Sequence, residues 1–149
     1  CLENEVSIAA YSPLFHGILT GKFGSIEDIP DGRARTRHFS SEKRPMTRHG
    51  GPGAEDQTAA ALRRIAEIAA EIDVPMAQLS LAWLMKKPGV TTVIAGARNP
   101  QQIRSNAQAA ALDLGEDVIA ALDAATEPLK QALGANADMW ESDENCRIR

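Results

Sequence analysis

Apolar positions along the chain fall into two short unbroken runs and several stretches of helical period. The first run, Val6-Ser7-Ile8-Ala9-Ala10-Tyr11, is apolar almost throughout and is stopped by Pro13. A run without alternation predicts a strand covered on both faces, as in a parallel sheet. The second, Val90-Thr91-Thr92-Val93-Ile94-Ala95, has the same character and meets Gly96-Ala97-Arg98-Asn99-Pro100. Asn99 is a suitable N-cap and Pro100 a suitable first helical residue, so a helix is expected to start there. Between the two runs, Leu62, Ile65, Ala66, Ala69 and Ile72 recur at three- and four-residue steps, with Arg63, Arg64, Glu67 and Glu71 opposite. That spacing predicts a helix over 54–72. Another helix follows Val74, with Pro75 in its first turn. Leu79, Leu81, Ala82, Trp83, Leu84 and Met85 leave it no polar face before Lys86, so it is expected to be buried all round. Gly115 and Glu116 open a further helix with Val118, Ile119 and Leu122 on one face, and a separate short helix is expected over 128–133. The polar tail, 134–149, is expected to be irregular.

Strands alternating with helices predict an α/β fold with a parallel sheet. Two strands are too few for a stable sheet on their own. Together with Cys1 in place of an initiating Met, this leads to the expectation that the chain begins inside a larger gene product. The connection over 12–53 is unusually long and rich in Gly, Pro and Ser, and a loop of that length usually has a task. Its stretch from 31 to 49 holds six basic and two acidic side chains, a local +4 that leaves −8 for the rest of the chain. Most of these arginines are expected to sit on a solvated loop. Those nearest Gly17 and Lys22 are candidates for an anion-binding lid.

Composition narrows the classes. The 149 residues suit one modest domain, 44% apolar and 24% charged. The net charge of −4 argues against general nucleic-acid binding. No apolar run approaches the ~18 residues of a membrane span, and no charged-then-apolar leader is present. Two cysteines, Cys1 and Cys146, suit a reducing, cytoplasmic setting without a structural disulfide. His16, His38 and His49 have no metal-ligand spacing, so no metal is expected.

Candidate chemistry lies where both strands end, the usual place for ligands in α/β proteins. After the first comes Tyr11-Ser12-Pro13-Leu14-Phe15-His16-Gly17-Ile18-Leu19-Thr20-Gly21-Lys22. Glycines allow close backbone approach, amides and hydroxyls donate, and the lysine adds charge, which is what a pyrophosphate requires. After the second, Gly96, Ala97 and Arg98 lead into a helix N-terminus, which adds free N–H groups and the positive end of a dipole. Gly-rich turns after strands are also often turns only.

At these residues the sequence resembles a known family. Tyr11-Ser12-Pro13-Leu14, with Gly17 and Thr20-Gly21-Lys22, resembles the segment after the seventh strand of aldo-keto reductases. Gly96-Ala97-Arg98-Asn99-Pro100-Gln101-Gln102-Ile103, followed by Asn106, resembles the segment after their eighth strand. The likeness covers essentially the whole chain, 1–149, and is closest to a long-loop bacterial branch similar to potassium-channel beta subunits. It implies the C-terminal part of a (β/α)8 TIM barrel: two parallel strands, several helices, the cofactor loop 12–53 and the tail 134–149. It also implies NADPH (NADP in its oxidised form) as cofactor and a small-molecule carbonyl substrate in the full enzyme. On this resemblance Tyr11 stacks on the nicotinamide, and Ser12, Leu14, Gly17 and Lys22 line the pyrophosphate. Arg33 sits in a flap over the cofactor. Gly96, Ala97 and Arg98 meet the 2′-phosphate, and Gln102 and Asn106 the adenosine end. Ser105 stands where many relatives have Glu, which puts that one contact in question. Trp140 is a candidate for the substrate pocket. The family's catalytic Asp, Tyr, Lys and His lie on earlier strands, so no catalytic residue is expected here. The sole tyrosine, Tyr11, belongs to the cofactor motif. The rival expectation is a non-catalytic truncated product or a nucleotide-sensing interaction subunit. A chain stable alone is expected to hide its strand edges by self-association, or against a missing N-terminal barrel half.

Overall fold

A computed structural model describes residues 1–148. The elements run β1 (Ile8–Tyr11), a pair of 3-10 turns (Phe15–Thr20), α1 (Glu55–Glu71), α2 (Met76–Met85), β2 (Val90–Ile94), α3 (Pro100–Ala109) and α4 (Glu116–Leu133), with a short 3-10 turn before β1. The two strands pair in parallel, as their unbroken apolar runs predict. The register sets Ile8 against Val90, Ala9 against Thr92, Ala10 against Val93 and Tyr11 against Ile94, with an irregularity between Ile8 and Ala9. The fold is thus mixed α/β with two parallel strands and several helices.

The chain divides into two compact units. The first comprises residues 1–22 and 65–122 and contains both strands. Its core is built from Ile18, Ile65, Ile68, Leu79, Leu81, Ala82, Ala109 and Leu114. α2 is buried along Met76, Leu79, Ser80, Leu81 and Ala82, while Trp83, Leu84 and Met85 are half-buried. The nearly all-round apolar character of this helix therefore matches its environment. The strands do not match theirs. Ile8, Tyr11 and Ile94 are exposed, where the sequence predicts cover on both faces; among the described residues the sheet has two strands, and nothing packs over these side chains. On α1 the covered stripe is Thr58, Ala61, Ile65, Ile68 and Ala69, and Ala66 faces solvent.

The second unit comprises residues 23–64 and 123–148. Here the loop expected to be solvated is packed instead: Ile29, Ala34, Thr36 and Phe39 are fully buried. Without helix or strand to pair its carbonyls, such a segment needs side-chain donors, and its arginines supply them. Arg44 donates to the carbonyls of Ile29 (2.9 Å) and Ile26 (2.8 Å) and to Asp31 Oδ1 (3.1 Å). Arg37 donates to the carbonyls of Leu133 (2.5 Å) and Asn136 (3.1 Å), at the C-terminus of α4 where a cation is favoured. His49 bridges the loop: the Gly51 amide donates to its Nδ1 (3.0 Å), which leaves Nε2–H to donate to the Phe39 carbonyl (2.9 Å). α4 also departs from expectation. It is one helix of 18 residues with Pro128 inside it, not two helices. Proline removes the amide that would bond back four residues and crowds the carbonyl there, yet the helix continues through Pro128 to Leu133. The tail is irregular, as expected, yet anchored: Asp138 is 1% exposed and is held by Arg147 through Nε (2.7 Å) and Nη2 (2.8 Å). That guanidinium keeps the Asp138 carboxyl well below the usual carboxylate range. Among the described residues no single helix is long and apolar enough to cross a membrane, and no group of metal-ligating side chains assembles.

Gly53 joins the loop to α1 at φ +72°, and a Cβ there would sit 2.5 Å from the Phe39 carbonyl oxygen and 2.6 Å from the Ser40 amide nitrogen. Gly53→Ala is expected to destabilise by at least about 2 kcal/mol in a urea melt. Gly50→Ala, at φ +69° with open space around it, should cost only about 1 kcal/mol. Equal effects would contradict this packing. A second expectation concerns His38, whose burial, assisted by the Arg37 charge, lowers its pKa from 6.5 to about 4. The folded state thus keeps it neutral while the unfolded chain protonates. The stability this represents is full above pH 6.5 and is lost as pH falls towards 4, by up to about 3 kcal/mol. Urea midpoints should decline from pH 7 to pH 4.5 and flatten in His38→Gln; a flat profile in the unmodified protein would contradict the burial.

Candidate functional site

The register places the ends of the two strands side by side. Tyr11 pairs with Ile94, so the segments starting at Ser12 and Ala95 leave from the same edge of the sheet. This brings together the two stretches that the sequence singles out. Tyr11 is 72% exposed, with its ring uncovered. The backbone after it turns sharply: Ser12, Phe15 and His16 lie in the left-handed region at φ 51°, 46° and 55°, followed by Gly17 at 82°. Each such non-glycine residue costs of order 1 kcal/mol, and clusters of them mark functional segments. The turn is held by the Phe15 amide donating to the Ser12 carbonyl (2.9 Å) and by the Gly17 amide donating to the Leu14 carbonyl (2.8 Å). Thr20 Oγ1 donates to the Gly17 carbonyl (2.8 Å), and buried Ile18 anchors the segment. Gly21 packs on Met76 of α2, and Lys22 is exposed.

After β2, Asn99 caps α3 as predicted, accepting from the Gln102 amide at 2.9 Å. The Gln102 side chain reaches back, its Oε1 accepting from the Arg98 amide at 2.8 Å, in the manner of a capping box. Asn106 Nδ2 donates to the Gly96 carbonyl at 3.3 Å. Gln102 and Asn106 therefore shape the loop 95–99 besides being candidates for ligand contact. Gln78 of α2 ties this helix down, its Nε2 donating to Ser105 Oγ (3.1 Å) and Gln108 Oε1 (3.0 Å). Ser105, where the resemblance leads one to expect an acid, thus has a structural partner. Gly96, Ala97 and Arg98 are exposed, with open space beside the Gly96 Cα. The Arg98 guanidinium has no acceptor among the described residues.

Arg33 and Trp140 belong to the second unit, and both are half-buried. That unit also holds a residue the sequence reading passed over. The Arg35 guanidinium lies 5.2 Å from the centre of the Trp140 ring. Its buried Nε has no hydrogen-bond acceptor, whereas Arg37 and Arg44 bond carbonyls and Arg48 pairs with Glu141 at 3.2 Å. Spacing could not separate Arg35 from its neighbours in a run of six basic residues; only the packing does.

The family model of the aldo/keto reductases matches residues 1–127. The chain belongs to the aldo/keto reductase family. An uncharacterized oxidoreductase of Mycobacterium bovis is 39% identical to this reductase-family chain over 114 residues, 76% of the chain and 31% of the relative. A candidate voltage-gated potassium channel subunit beta of Schizosaccharomyces pombe is 39% identical over 99 residues, 66% and 27% respectively. The L-glyceraldehyde 3-phosphate reductase of Escherichia coli K12 is 33% identical over 107 residues, 72% and 29%. The matches thus cover less than a third of the length of these curated relatives.

Proposed function

We propose that the chain is the cofactor-binding, C-terminal part of a (β/α)8-barrel reductase that reduces small carbonyl compounds with NADPH. The observation that supports this most is the Tyr11–Ile94 pairing, which puts an uncovered aromatic ring and the approach to a capped helix on one sheet edge. The residues fit a phosphate-bearing nucleotide on two counts: strained backbone at Ser12, Phe15 and His16, and an Arg98 guanidinium without an acceptor among the described residues. In this reading Tyr11 takes the nicotinamide face and Ser12, Leu14, Gly17 and Lys22 the pyrophosphate. Gly96, Ala97 and Arg98 take the 2′-phosphate, with Gln102 and Asn106 towards the adenosine. When bound, the cofactor supplies the hydride. Arg98 is permanently charged and neutralises a phosphate, and the α3 N-terminus adds its dipole. On the family resemblance the carbonyl oxygen takes its proton from a tyrosine on an earlier strand, since Tyr11, the one tyrosine here, is assigned to the cofactor. The exposed faces of β1 and β2 fit this reading, since further strands of a barrel would cover them.

The full-length protein is accordingly expected to prefer NADPH to NADH. Arg98→Ala should raise the Michaelis constant for NADPH roughly ten- to a hundred-fold, the effect of one charge-assisted bond, and leave that for NADH nearly unchanged. Equal constants for the two cofactors in the unmodified enzyme would overturn the assignment.

A further inference from the structure

The loop that carries Arg98 is tied to α3. Gln102 Oε1 accepts from the Arg98 amide, and Asn106 Nδ2 donates to the Gly96 carbonyl, so residues 96–98 go where the helix goes. Apolar packing holds this helix only lightly. Along Pro100–Ala109 the one buried residue is Ala109, and Ile103, its one large apolar side chain, is 59% exposed. A buried methyl group contributes far less than a buried leucine or isoleucine. The more specific hold is polar and comes from α2. Gln78 Nε2 donates to Ser105 Oγ (3.1 Å) and to Gln108 Oε1 (3.0 Å), which uses both of its amide hydrogens. Gln78 is half-buried, and buried Met76 and Leu79 on either side of it fix α2 in the core. Ser105 lies one helical turn beyond Gln102 and directly precedes Asn106, so the contact pins the part of α3 that holds the loop. All these residues belong to the first unit.

We infer that Gln78 is a positioning residue: through Ser105 it sets the place of Arg98, and with it the discrimination between a dinucleotide that carries a 2′-phosphate and one that does not. This rests on the assignment of Arg98 to the 2′-phosphate under the proposed function. Gln78 touches no part of the cofactor in this reading. The turn after β1 has its own hydrogen bonds, from the Phe15 and Gly17 amides and Thr20 Oγ1, so the pyrophosphate segment does not share the dependence on Gln78.

The test is the pair of dissociation constants for NADPH and NADH, measured by fluorescence on the full-length protein. Gln78→Met keeps the length of the side chain and removes its donors. It should weaken NADPH binding about three- to tenfold, the effect of one or two partly exposed hydrogen bonds, and leave NADH within about twofold. Ser105→Ala should do the same, and covers the case in which Gln78→Met fails to fold. Ser105→Thr, which keeps the hydroxyl, should retain most of the affinity. In an Arg98→Ala background Gln78→Met should cost nothing further, because the group it positions is gone. Unchanged NADPH affinity in the variants that fold, with a loss in Arg98→Ala, overturns this inference alone. Equal weakening of NADPH and NADH, or an added loss in the Arg98→Ala background, does the same. No loss of NADPH affinity in Arg98→Ala overturns the 2′-phosphate assignment as well.

Discussion

Everything assigned to the site depends on one pairing, the parallel ladder between β1 and β2. Parallel strands cannot be joined by a tight turn and need a long crossover, which here is the whole stretch from Ser12 to Gly89. Because the strands run the same way, both following segments emerge at one edge. A shift of one residue would also turn Tyr11 to the opposite face. The irregularity between Ile8 and Ala9 falls at the start of the ladder, away from the edge where the candidate residues gather.

The second constraint is the accounting of backbone polar groups in the long loop. A segment with Phe39 and Ile29 fully buried, and with no ladder of its own, must find donors for its carbonyls. Arg44 and Arg37 meet this need from inside the loop. Arginine suits the task because its fork of donors can serve two or three acceptors at once. The basic character of 31–49 is thus largely structural. Against that background Arg35 stands apart: its guanidinium lies against the Trp140 ring, and its Nε has no acceptor among the described residues.

Much of this was legible in the sequence. The two apolar runs gave the strands and their parallel sense; the 54–72 period gave α1 to within a residue at each end; Asn99-Pro100 gave the start of α3. The residues at both strand ends were legible because turn glycines, a cap and a cation fall together at each. What was not legible depended on partners distant in sequence. The covering of loop residues needs the tail, and the fate of each arginine is decided by carbonyls up to 99 positions away. Pro128 misled because its missing amide ordinarily signals a boundary. The composition of the strands suits a larger sheet, whereas among the described residues Ile8, Tyr11 and Ile94 are exposed.

The account stands on the two strand-end segments forming one binding surface. Amide chemical shifts of the full-length protein during titration with NADP test this directly. The account predicts that residues 11–22 and 96–106 shift together, along one saturation curve. Shifts confined to one of the two segments, or two separate curves, would contradict it.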